Sequence, residues 1–88
     1  MKHKDGFVKR SVGGREVAVA VGKRAATFNG MITLNGSASF LWDALECDRT
    51  EAELVEALLA EYDVERDRAE ADVHAFVASL RGAGLLDD

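Results

Sequence analysis

Proline is absent from this chain of 88 residues, cysteine and tryptophan occur once each, and histidine occurs twice. The lack of proline removes the strongest helix breaker, so each helix can run as far as its apolar pattern carries it. One cysteine excludes an internal disulfide, and Cys47 reads as an inert thiol near a helix end. Neither His3 nor His74 has a cysteine or second histidine at ligand spacing, which argues against a metal site. No apolar run approaches the roughly 20 residues of a membrane helix. The charged start, Met1 to Phe7, is not followed by the apolar stretch of a signal peptide. These absences lead to the expectation of a soluble, cytoplasmic protein.

What is present is globular: 48% hydrophobic and 31% charged residues, without repeats or low-complexity tracts. The length suits a single domain over residues 1–88. Folding at this size removes roughly 60% of the extended chain's surface, so the core is thin and leaves little stability to support strained catalytic geometry. The net charge of -5 hides an uneven distribution. Residues 1–35 hold seven basic and two acidic groups, whereas the remainder holds four basic and fourteen acidic ones. Such a dipolar chain meets its partners with a preferred orientation, although each single charge is adequately explained as part of a solvated face.

The first third of the chain has the period of strands. Phe7 to Val12 is rich in strand formers, Gly13-Gly14 signals a turn, and Val17, Val19 and Val21 recur at period two. A longer connection follows, ending in Asn29-Gly30, before the short apolar run Met31-Ile32-Thr33-Leu34. Beyond Gly36 the period is helical. Phe40, Leu41, Ala44 and Leu45 share a face with Trp42 to the side, and Asn35 or Ser37 can cap that helix. Thr50-Glu51-Ala52-Glu53 is a capping box ahead of Leu54, Val55, Leu58 and Leu59, on a helix ending near Glu61 to Asp63. A third helix starts around Asp67 and carries the stripe Ala69, Val73, Phe76, Val77, Leu80 and Ala83, with Gly84 as its stop. Strands over about 7–34 followed by helices over about 36–86 make an α+β domain.

No catalytic constellation accompanies these elements. Ser37 and Ser39 follow Gly36 without the G-x-S-x-G spacing of a nucleophile elbow, and the glycine pairs serve turns because no P-loop lysine follows them. His3 falls in a terminus expected to fray, and His74 lies off the apolar stripe of its helix. A non-enzymatic role follows, with no cofactor required. A winged-helix DNA reader is an alternative, but Asp63 to Asp72 holds five carboxylates against Arg66 and Arg68, which opposes phosphate contact.

The run Met31 to Leu34 has neither charge nor proline to protect a sheet edge. It is either covered within the fold or kept open for another strand, from a peptide or from a second copy of the chain.

Five segments in order, F-N-G-M-I-T-L-N (28–35), F-L-W-D-A-L (40–45), T-x-x-E-L-V-E-A-L (50–58), Y-D-V (62–64) and D-V-x-x-F-V-x-x-L-R-x-x-G-L-L (72–86), resemble the PqqD family. These are small peptide chaperones named for pyrroloquinoline quinone synthesis and also known as RiPP recognition elements. The resemblance implies a winged-helix-like, three-stranded antiparallel sheet followed by three helices. It implies a non-catalytic chaperone that binds the leader segment of a ribosomally made precursor peptide and delivers it to a modifying enzyme, such as a radical S-adenosylmethionine (SAM) enzyme. The leader would add to the strand Met31, Ile32, Thr33 and Leu34 and lie against Asp72, Val73 and Phe76 of the third helix. Nucleic acid and membrane are not among the implied partners. A plain interaction module, with that strand pairing in a homodimer, fits the same edge.

Overall fold

The computed structural model describes residues 1–22, 31–34 and 36–87. Along the chain lie β1 (Lys2–His3), β2 (Phe7–Val12), β3 (Arg15–Ala20), β4 (Met31–Thr33), α1 (Gly36–Ala44), α2 (Glu51–Glu61), α3 (Arg66–Gly82) and β5 (Leu86–Asp87). β2, β3 and β4 form one antiparallel sheet in that order, and the three helices follow it, as the sequence leads one to expect. The Asn29-Gly30 turn and the Asn35 cap lie outside the described residues. Ser37 falls within α1 rather than before it.

The hairpin forms because Gly13 and Gly14 both take positive φ, 58° and 81°, as a two-residue turn of type I′ needs. Val12 is thereby set opposite Arg15 and Phe7 opposite Ala20. Strand alternation and this register place Phe7, Ala18, Ala20, Ile32 and Leu34 on the face packed against the helices. The small alanines let the helices approach. Val17 and Val19 do share a face, but it is the other one.

Trp42 is only 2% exposed and therefore belongs to the core instead of its margin. His3 stacks on it at 4.2 Å between ring centroids, and Phe7 meets it edge-on at 6.3 Å. His3 is accordingly not frayed. β1 pairs antiparallel with β5, with His3 opposite Leu86, and the His3 amide donates to the Leu45 carbonyl at 3.1 Å. This second, two-stranded sheet had no sequence signal of its own, because two-residue strands are too short to show a period.

The helix ends follow their local chemistry. The Thr50 hydroxyl accepts from the Glu53 amide at 3.1 Å and the Glu53 carboxylate accepts from the Thr50 amide at 2.9 Å, completing the capping box. α3 begins one residue before Asp67, with Glu65 at its N-cap and no side-chain cap bond. At its far end Gly84 takes φ 75°, Leu85 donates to the Leu80 carbonyl at 2.9 Å, and Gly84 donates to that of Arg81 at 3.1 Å. That is the Schellman pattern, and it returns Leu85 into the core, where it is 0% exposed. Ala69, Val73, Val77 and Leu80 form the buried stripe of α3 against Leu54, Val55 and Leu58 of α2.

Candidate functional site

Among the described residues β4 pairs with β3 alone, which makes it an edge strand of the three-stranded sheet. Its register sets Thr33 opposite Val17, Ile32 opposite Ala18 and Met31 opposite Val19. The Leu34 amide donates to the Glu16 carbonyl at 2.8 Å, which fixes the phase of the ladder. Bonded pairs alternate in an antiparallel ladder, so Ile32 exchanges bonds with Ala18. The N–H and C=O groups of Met31 and Thr33 consequently point to the open edge. β4 itself carries neither charge nor proline, and Met31 is 56% exposed.

Beside the edge runs a groove of about 440 Å³. β4 supplies Ile32 and Thr33, α1 supplies Ser37, Ala38 and Leu41, and α3 supplies Arg68, Asp72, Ala75, Phe76, Ser79 and Leu80. Arg68, Asp72 and Phe76 recur every four residues, one position before the core residues Ala69, Val73 and Val77. α3 thus shows one stripe to the core and the adjacent stripe to the groove. From Arg68 to Ser79 the helix rises about 16 Å, the length of about five residues of extended peptide. A second hollow of about 480 Å³, between the hairpin turn and the start of α1, shares Thr33 with the groove.

Four of the expected residues, Ile32, Thr33, Asp72 and Phe76, line this groove, and Met31 stands at its open edge. The other two lie beneath it. Leu34, 2% exposed, turns its amide inward to Glu16, and Val73 is 0% exposed in the core. Sequence reasoning missed Arg68, Ala75 and Ser79, although each sits at the period of Asp72 and Phe76. It also missed Ser37, Ala38 and Leu41, whose place depends on how α1 packs over the sheet.

Polar contacts hold the walls in place. Lys9 on β2 donates to Ser39 at 2.9 Å and to Asp43 at 2.7 Å on α1, while the Ser39 hydroxyl donates to Glu16 on β3 at 3.0 Å. The bond to Asp43 above all, with Glu16 assisting and burial opposing, raises the Lys9 pKa above its ordinary value. This cluster ties the hairpin to α1. In the groove itself the charged residues are Arg68 and Asp72, paired one helical turn apart with Nε 3.2 and 3.3 Å from the two carboxylate oxygens.

His74 is exposed, its Nδ1 3.4 Å from a Glu51 carboxylate oxygen. Among the described residues no group of His, Cys, Asp and Glu is placed to hold a metal ion, and no helix is long and apolar enough to cross a membrane.

Fold and site together define a small winged-helix-like domain with a strand edge that is open among the described residues and set beside a helix-lined groove, the geometry that strand addition requires. The chain belongs to the PqqD family, since the family model described as coenzyme PQQ synthesis protein D (PqqD) matches residues 13–86. Among solved structures it is similar to TbiB1, determined in complex with the TbiA(beta) leader peptide. The identity is 28%, the match covers 99% of this chain and 95% of that one, and the TM-score is 0.74. No curated protein matches the chain by sequence.

Proposed function

We infer that this protein is a non-catalytic chaperone that binds the leader segment of a ribosomally made precursor peptide. The leader joins the sheet as a further strand on β4 and lays alternate side chains into the α3 groove. The observation that carries this reading is the outward N–H and C=O groups of Met31 and Thr33 beside that groove. Membership of the PqqD family and similarity to a protein solved with a leader peptide support it. Main-chain bonds give affinity that tolerates sequence, and side chains over Phe76 give specificity. Ordering a flexible leader costs about 2–5 kcal/mol, so affinity is moderate.

Delivery of the bound precursor to a modifying enzyme, a radical SAM enzyme in the sharpest form of the reading, completes the proposal. The test is fluorescence anisotropy with the labelled leader of a precursor encoded near the gene, followed by a pull-down of the neighbouring modifying enzyme with and without precursor. Saturable binding and peptide-dependent capture support the two halves separately. No binding at high micromolar leader would sink the first.

The same open edge favours a second reading, in which β4 of one copy pairs with β4 of another. Mass by light scattering at two concentrations separates it from the first, because self-pairing raises the mass with concentration in the absence of peptide.

A further inference from the structure

Apolar and small polar residues alternate along the groove, and among the described residues the only charged side chains that line it are the Arg68–Asp72 pair at one end of its α3 wall. An exposed ion pair at this spacing contributes little to stability, and the Arg68 side chain is 74% exposed. The pair's geometry is more informative than its strength. Both Asp72 oxygens contact the same atom, Arg68 Nε. Neither Nη group of Arg68 has a hydrogen-bond partner among the described residues. Asp72 therefore steadies the guanidinium plane and leaves free the pair of Nη donors that grips a carboxylate in two-point fashion. Arg68 also lies in the first turn of α3, at the positive end of the helix dipole.

Other charges at this end narrow the ligand. Asp67 and Glu70 lie near Arg68 in sequence but point to other faces of the helix, and Glu65 stands at the helix's N-cap position. Together they repel a generally acidic peptide, so any preference must be for one carboxylate at one place. A basic side chain is a poorer match, because both Asp72 oxygens are already engaged and Asp72 is the less exposed partner, at 37%.

Resting on the leader-binding reading above, we propose that Arg68 is a specificity-determining residue that reads a single Asp or Glu side chain of the bound peptide, with Asp72 as its positioning residue. The spacing follows from the helix. Arg68 and Phe76 are two turns apart, about 12 Å. An extended peptide covers that in about four residues, and an even offset keeps both side chains on the groove side. The acidic residue thus stands about four positions from the apolar residue seated on Phe76.

The experiment is selection of a displayed library of random 12-residue peptides, flanked on both sides so that no free terminal carboxylate competes, against the full chain. Wild type is expected to enrich Asp or Glu four positions from an apolar residue. Arg68→Gln should keep the apolar preference and lose the acidic one, and Arg68→Glu should replace it with Lys or Arg. A C-terminally amidated peptide from the selection should lose roughly tenfold in affinity on Glu→Gln exchange, with no further loss in Arg68→Gln. An apolar pattern with no acidic preference, unchanged by Arg68→Glu, overturns the proposal and leaves strand binding intact. Enriched peptides that bind Thr33→Pro as well as wild type, or no enrichment at all, overturn both.

Discussion

Replacing Thr33 by proline should abolish or sharply weaken peptide binding while leaving the domain folded. The Thr33 amide faces the open edge, so proline removes no bond to β3, and an edge strand is where proline is tolerated. Ile32, which precedes it, is already extended, as a residue before proline prefers to be. The open edge offers four main-chain groups, which at about 0.5–1.5 kcal/mol net each supply about 2–6 kcal/mol. Proline deletes one donor, and its ring keeps the incoming strand from the neighbouring acceptor. The loss is about 1–3 kcal/mol, roughly five- to hundredfold in Kd. Anisotropy with labelled leader measures the binding and circular dichroism the melting temperature. Thr33→Val, which keeps the amide, should bind within about threefold of wild type, a difference smaller than the loss of one hydrogen bond. Ile32→Pro, which breaks the ladder to Ala18, should instead lower the melting temperature by several degrees, at about 4–8 °C per kcal/mol. Wild-type affinity in a folded Thr33→Pro protein would refute the strand-addition argument.

Phe76→Ala and Val73→Ala should separate groove from core: the first, at a partly buried residue packed on the core's margin, lowers stability somewhat and also weakens leader binding, whereas the second, at 0% exposure, costs about 2 kcal/mol of stability with binding by the folded protein kept. Denaturant melts alongside binding curves check the pair. Thr50→Ala removes one half of the capping box and should cost about 0.5–2 kcal/mol of stability with leader affinity unchanged, read from the urea midpoint. Lys9 has a folded pKa raised chiefly by its hydrogen bond to Asp43, so its contribution is complete below the ordinary lysine value of 10.5 and is lost as pH rises through the folded value. The melting temperature of wild type should therefore fall more steeply above pH 10.5 than that of Lys9→Met, and parallel profiles would contradict the assignment.

Much of this arrangement could be read from local chemistry. The glycine pair, the Thr50 capping box, the α3 stripe and the Gly84 stop each act over a few residues, and each stands where its pattern put it. What escaped depends on contacts across the chain. Trp42 reads as marginal on the α1 wheel, but β1 closes over it and brings His3 onto its ring. Val73 and Phe76 share one apolar pattern, and only the placement of β4 and α1 decides that Val73 faces the core and Phe76 the groove. Arg68 reads as one more solvated charge until the groove gives it something to face.

Residue-resolved amide hydrogen exchange, with and without saturating leader peptide, tests strand addition most directly. Ile32 should be protected in both states, because its amide is already bonded within the sheet. Met31 and Thr33 should exchange freely in the isolated protein and become protected only when peptide is bound. Free exchange of Met31 and Thr33 under saturating peptide, or protection before any peptide is added, would contradict the account.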